Sequence, residues 1–364
     1  MASTNWTVTI GATSFTSIVQ SMSFNIGRQN YFDPYAGGAC TVTVRNNTGQ
    51  AASLNQGDLI TVGNDLSGTV LYFYVVEVTF QDEIGANGNT ATITGRDALG
   101  QLYQGAATDG PVFGYTNTCL QAGQLMTQIA PYYPPNPPSV TVNGRAFCTD
   151  TFADTTVGER ISQLIQTENS SFGYDGLTID FRKSAAPGLT TVAFALSTGA
   201  GLVYSSITRK YPNANYPTNV RLNSTTVGQT ESSVAGQYRR NYDRDVLLTS
   251  ATQQQAQTDW FANVLSDTTA PYIDLQFSDV ANASAKVATW LSYIPQISGS
   301  LVNLTYQVPG GSTTTRYMVV EGTSVNIVPG SSQWTVYMSP TVVYDLFTLD
   351  SSGFGILNTN RLGW

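Results

Sequence analysis

The chain has 364 residues, a formal net charge of −8 and a pI near 4.5, with only 11% charged residues against 41% hydrophobic ones. Cores can form, but the surface must be built from Thr, Ser, Asn, Gln and Gly, which is unlike a cytosolic helical enzyme. The densest basic spot, Arg239-Arg240 with Arg244, is neutralised by Asp243 and Asp245, so there is no basic stripe of the kind that phosphate-backbone binding needs, and no sequence-specific nucleic-acid partner is expected.

The first hundred residues alternate as strands. Trp6-Thr7-Val8-Thr9-Ile10 and Cys40-Thr41-Val42-Thr43-Val44 have period two, the second ending at the turn residues 46–49. Asp58 to Val62 follows, then the long aromatic and β-branched run from Val70 to Phe80. A hairpin turn at Asn87-Gly88-Asn89 returns through Thr90 to Gly95. In Gly95-Arg96-Asp97, Gly95 closes the strand and Asp97 is expected to cap a helical turn from Ala98 to Leu102.

A mixed segment comes next. Thr118 caps a predicted helix over 119–130 with Ala122, Met126 and Ile129 on one face, and the proline-rich stretch 131–138 ends it. A second helix begins at the capping box Thr156-Val157-Gly158-Glu159, with Val157, Ile161, Leu164 and Ile165 as its apolar stripe. Residues 172–176 read as a turn and 177–182 as a strand. Strand patterning resumes with 219–222, a helix is predicted over 253–265 with Ala256, Trp260 and Val264 on one face, and strands close the chain at 301–306, 315–321 and 334–338. The expected fold is mainly β with an α+β insert: a β domain over 1–103, the insert over 104–205, a second β domain with an inserted helix over 206–345, and a tail over 346–364. No strong sequence repeat links the two β halves.

The chemistry is sparse. There is no histidine, so neither a Ser-His-Asp nor a Cys-His constellation is possible, and a structural zinc site is close to excluded. Cys40, Cys119 and Cys148 cannot form a disulfide framework and read as reduced, mostly buried thiols. Asp82-Glu83 and Asp243/Asp245 read as solvated loop acids rather than a carboxylate site. The glycine-rich segments carry no phosphate-binding motif. No catalytic, cofactor-binding or metal residues are expected, and no cofactor. The N-terminus lacks the features of a signal peptide, and no stretch is long or apolar enough for stable membrane insertion.

Three stretches together carry a resemblance. Ser23 to Arg28 with Ala36 to Asn46 is similar to the opening of the minor tail proteins of long-tailed bacteriophages, with Ile26-Gly27-Arg28 where many relatives read Arg-Gly-Arg. Ala91 to Gly100 resembles the strand and "A-D-x-L" turn that end the first barrel of tail hub proteins. Gln333 to Pro340, with Phe347 to Ser352 and Asn360 to Trp364, is similar to the closing strand and tail of the same family. The resemblance implies two tube-type antiparallel β-barrel domains flanking a small mixed domain. It implies a non-enzymatic baseplate hub in the virion tail tip, made in the host cytoplasm. The implied assembly is a homotrimer whose six barrels join a sixfold tail tube to a threefold tip and line the DNA exit channel. Implied partners are a tail tube or distal tail protein, a tape measure protein, and a tip or fibre protein. Val70–Phe80 and Thr315–Glu321 are then expected to contribute to the ring-forming barrels, and residues 347–364 to clamp a neighbour. A receptor- or glycan-binding tail module is the alternative that the composition leaves open.

Overall fold

The computed structural model describes residues 5–31, 33, 37–68, 70–82, 88–97, 99–100, 113–117, 139–141, 147–150, 159, 162–163, 167, 171–174, 178–182, 193–195, 201–211, 219–233, 241–266, 271–294, 299–308 and 310–341. The predicted helix over 119–130, the cap at Thr156 and the tail from Phe347 lie outside them.

In chain order the first strands are β1 (Trp6–Ile10), β2 (Thr13–Ser14), β3 (Val19–Gly27), β4 (Ala39–Arg45), β5 (Leu59–Asn64), β6 (Val70–Gln81) and β7 (Thr90–Arg96). The insert contributes β8 (Phe113–Asn117) paired with β10 (Phe147–Asp150), and β11 (Ser171–Tyr174), β12 (Thr178–Arg182) and β9 (Ser139–Thr141) in a three-stranded sheet. Residues 172–174, expected as part of a turn, are thus extended, because they pair along β12. Then follow β13 (Ala193–Ala195), β14 (Leu202–Val203), β15 (Ser206–Lys210), β16 (Asn219–Ser224), β17 (Gly228–Ser233), β18 (Asn241–Asp245), helix α1 (Ala251–Ser266), β19 (Tyr272–Ser278), helix α2 (Ser284–Tyr293), β20 (Leu301–Gln307), β21 (Thr313–Val328) and β22 (Ser331–Pro340). The architecture is mainly β, as the alternation predicts.

One 14-stranded sheet runs through both ends of the chain. Within it lie two units with the same topology. β3-β4-β7-β6-β5 and β15-β19-β22-β21-β20 are each five strands, all antiparallel, in the order first-second-fifth-fourth-third. The registers coincide as well. β6 bulges between Val75 and Glu77 against β7, and β21 bulges between Val320 and Gly322 against β22. Val75 N–H donates to Asp58 O and Gly57 N–H to Val75 O; Val320 N–H donates to Ser300 O and Gly299 N–H to Val320 O. Gly57 and Gly299 both have positive φ, at 90° and 82°, where a side chain would be strained. The fold therefore contains an internal duplication that the side chains do not advertise. No hydrogen-bonded ladder among the described residues closes either unit on itself.

The units are joined edge to edge. Residues 322–327 of β21 pair with β3, on the edge of β21 that β20 occupies further up. Backbones approach closely at this seam: a Cβ on Gly27 would lie 2.3 Å from the carbonyl oxygen of Glu321, and one on Gly322 2.5 Å from that of Ile26. The bulged Glu321 and the neighbouring Arg28 form an ion pair, Arg28 Nε donating to Glu321 Oε2 at 2.8 Å, with side chains 4% and 0% exposed. Arg28 also lies over the buried Tyr31 ring at 4.7 Å.

A single apolar cluster fills both units, from Val8, Phe24, Val42 and Ile93 to Leu275, Trp290, Leu304 and Val336. A second cluster holds the sheet β17-β16-β18 and helix α1 around Tyr31, Leu222, Trp260 and Phe261. The buried face of α1 differs from the expected one. Trp260 is buried, but Ala256 is half-exposed, and the inward positions include Gln254, Gln257 and Thr258. Their donors and the hydroxyl have partners: Gln254 donates to Leu222 O and Gly228 O, Gln257 to Thr167 O, and Thr258 Oγ1 lies 2.7 Å from Thr230 Oγ1, while the two glutamine amide oxygens have none among the described residues. Polar groups can be buried when they are paired, so the helix is oriented by hydrogen bonds that an apolar stripe does not reveal.

Candidate functional site

Among the described residues, no group of three or more His, Cys, Asp or Glu side chains is placed to hold a metal ion. The acidic spots singled out in the sequence are dispersed. Asp82 is exposed just past β6, while Asp243 and Asp245 are exposed as expected but lie on strand β18 and not in a loop, because they pair along β16, with Asn223 donating to Asp245 at 3.4 Å. Arg244 is not part of a basic surface: it is buried, with its guanidinium over the rings of Phe261 at 4.9 Å and Tyr242 at 5.3 Å. Cys40 is a free thiol inside the core, and burial pushes its pKa up to about 12, so it is chemically inert at neutral pH. No described helix is long and apolar enough to cross a membrane.

Asp97 does what its position predicts. Its Oδ1 accepts from Gly100 N–H at 2.7 Å at the start of the helical turn, and Oδ2 accepts from Gly38 N–H at 2.6 Å. Burial pushes its pKa from 3.8 up to about 7, against the opposing pull of the two N–H donors and Arg96. A carboxyl with a raised folded pKa adds stability that is full below its unfolded pKa and is lost as pH rises through the folded value. Stability is therefore expected to fall between about pH 4 and pH 7 by up to a few kcal/mol from this group. Denaturant titrations across that range should show the slope flattened in Asp97→Asn; an unchanged slope would place the titration elsewhere.

The surface with the most to offer is the sheet itself, through its solvent face and its free edges. Behind the core-facing residues, the opposite face carries rows of small uncharged polar side chains. Thr94, Thr41, Ser23, Asn326 and Gln333 stand opposite one another across five strands, and Asn25, Ser324, Thr335, Gln276 and Ser206 form the adjacent row. At the seam these residues, all but Thr94 and Ser206, line a trough of about 470 Å³. The face bridges both units without a break and carries few charges.

Most edges of the sheet are paired or end in very short strands such as β2 and β14, which is how proteins ordinarily blunt an edge. Three longer stretches have one free edge among the described residues. β6 runs past β5 from Glu77 onward. β15 pairs only with β19. Thr313–Tyr317 of β21 precedes the ladder with β22. The exposed large hydrophobic residues concentrate here: Phe80 on β6 is 45% exposed, Tyr211 after β15 43%, and Tyr317 on β21 54%. Of the two segments expected to form the ring, Val70–Phe80 thus ends in a free edge. Thr315–Glu321 divides into an exposed arm up to Tyr317 and a buried part, Met318 to Glu321, that lies along β22 and reaches the seam at Glu321. The aromatic run pointed to the first edge; the second, at β15, has too short and polar a pattern to stand out in the sequence.

No protein-family model matches the sequence, and no curated protein matches it. Solved structures do match. A tail protein from Neisseria meningitidis MC58 superposes with a TM-score of 0.66 at 11% identity, covering 94% of this chain and 98% of its own. The 43 kDa tail protein of prophage MuSo2 from Shewanella oneidensis gives 0.64 at 11% identity, with 93% and 99% covered. The c3393 protein of E. coli gives 0.53 at 8% identity over 96% of this chain and 76% of its own, and is described as a component of the type VI secretion system with structural similarity to the T4 bacteriophage tail proteins gp27 and gp5. At these identities the likeness establishes the fold, over nearly the whole chain.

Proposed function

We propose that the chain is a non-enzymatic structural component of a phage-type tail, a hub whose copies form a ring at the tail tip. The observation that carries this reading is the duplicated five-stranded unit, joined edge to edge within one chain. Two similar units per chain let three chains present six similar units on one side, matching a sixfold tube, while keeping threefold symmetry on the other. The near full-length likeness to two tail proteins, one of them from a prophage, supports the tail setting, and the gp27- and gp5-like secretion component supports a place near a baseplate. The polar, sparsely charged sheet face suits the wall of a channel through which DNA slides, because a surface poor in Lys and Arg gives phosphate nothing to bind. Its partners in this reading are further copies of itself, a tube or distal tail protein above, a tape measure protein within and a tip or fibre protein below.

A reconstruction of the tail end without imposed symmetry tests the proposal. Three copies in a ring around the axis, directly beneath the tube, are expected. Copies at the periphery would make the chain a receptor-binding module, and six copies in a stacked ring would make it an adaptor.

A further inference from the structure

The internal duplication makes a specific statement about which surfaces two copies use. Inside the chain, the fourth strand of the second unit pairs with the first strand of the first unit: residues 322–327 of β21 lie antiparallel to 22–27 of β3. The corresponding strands of the opposite units are β6, the fourth strand of the first unit, and β15, the first strand of the second. Both have the corresponding edge free among the described residues. The shared registers place Val78 at the position of Thr323, Phe80 at that of Val325 and Asp82 at that of Ile327. They likewise place Ile207, Arg209 and Tyr211 at the positions of Met22, Phe24 and Ile26.

We propose that the free edge of β6 pairs antiparallel with the free edge of β15 in a second copy of this chain, in the register Val78 to Tyr211, Thr79 to Lys210, Phe80 to Arg209 and Asp82 to Ile207. The proposal rests on the ring reading and names its joint. Three features of the two edges support it independently of the duplication. Phe80 and Tyr211, two of the most exposed large hydrophobic residues, meet as diagonal neighbours on the core-facing side and cover each other; Val325 and Ile26 fill the same places at the internal seam, where Val325 is 3% exposed. The charges are complementary. The β6 edge carries Glu77 and Asp82 and no base, while the β15 edge carries Arg209 and Lys210 and no acid. Asp82 falls diagonal to Arg209, and Glu77 diagonal to Lys210, whose ammonium also pairs with Asp274 of its own chain. Finally, Arg209 has a buried guanidinium nitrogen, Nη1, with no hydrogen-bond partner among the described residues, which a carboxylate arriving with the second copy can satisfy. The third free stretch, Thr313–Tyr317, is not assigned this way. Its counterpart in the first unit, Val70 to Tyr72 of β6, also extends beyond the ladder with β7, so the duplication supplies it with no partner.

The test is a cross-link. Thr79 and Lys210 are both exposed and face away from the core, and opposed residues of an antiparallel pair have Cα atoms about 4.5–5.5 Å apart, within reach of a disulfide. The double variant Thr79→Cys/Lys210→Cys is made in the full chain and oxidised, both as the purified protein and in assembled tails. Non-reducing electrophoresis should then show ladders of linked copies that stop at the ring number, and neither single variant should give them. Thr79→Cys/Ile207→Cys, with the second cysteine out of register and on the opposite face, should not link. Multimers, by mass photometry or in tails, that fail to link through 79 and 210 would overturn the edge pairing and leave the ring reading standing. A chain that is monomeric in solution and absent from tails would overturn both.

Discussion

Replacing Glu321 by Gln is expected to destabilise the folded chain by about 3–5 kcal/mol, because it removes the negative half of a buried ion pair beside a guanidinium that is shielded from water. Both side chains are almost fully shielded from water, and the pair joins residues 293 positions apart in sequence at the seam of the two units. The duplication supplies the control. The bulge position of the first unit, equivalent to Glu321, is Val76, so the bulge itself does not require a charge. Arg28→Met/Glu321→Val is therefore expected to cost less than either single replacement, since paired charges are often exchangeable for apolar residues of similar volume. Denaturant midpoints at one fixed protein concentration decide it. Additive costs for the two single changes would mean that the pair is not coupled.

Trp334→Ala is expected to cost a comparable amount, about 3–5 kcal/mol. The Trp334 ring is 1% exposed and touches aromatic rings from both units: Phe277 stacked at 6.0 Å and Trp290 edge-on at 6.1 Å from the second, Phe24 at 5.9 Å and Trp6 at 6.1 Å from the first. Its Nε1 donates to Ser332 Oγ at 2.9 Å, so truncation leaves that hydroxyl short of a donor as well as opening a cavity. Because the ring packs against both units, the loss should lower one shared unfolding transition. Two separated transitions in the variant, followed by tryptophan fluorescence and circular dichroism together, would show that the units fold independently and that the common core does not couple them.

The strands with period-two alternation were legible in the sequence, because Cys40, Val42 and Val44 do face the core and the threonines between them do not. β6 was legible for the same reason, and Asp97 as a cap because an Asp at that position has one obvious use. β19 and α2 were not. β19 mixes Asp274 and Gln276 into a core strand, and the apolar positions of α2, Val287, Trp290 and Leu291, span too few turns to establish a period. The duplication was invisible because it is conserved in hydrogen-bond register and not in side chains. Position for position, Val42 answers to Leu275, Ala91 to Trp334 and Val76 to Glu321, and among the landmarks only Val75 with Val320 and the positive-φ pair Gly57 with Gly299 keep their residue type. The free edge at β15 was missed for a related reason. An edge is a property of what a strand lacks as a neighbour, and Ser206 to Lys210 has no pattern that announces it.

The covalent link between the two units has a kinetic meaning. In any ring closed through these edges, every second joint is already made when the chain folds, and it forms at the high local concentration set by the tether rather than by diffusion. Only the alternate joints need an encounter between free molecules, so half as many bodies surrender their translational and rotational freedom as in a ring of separate single-unit subunits. Subunits would therefore be captured at lower concentrations than single units could be. The built-in joints keep their covalent tether whatever happens to their hydrogen bonds, so the intermolecular edges are where such a ring separates into its chains.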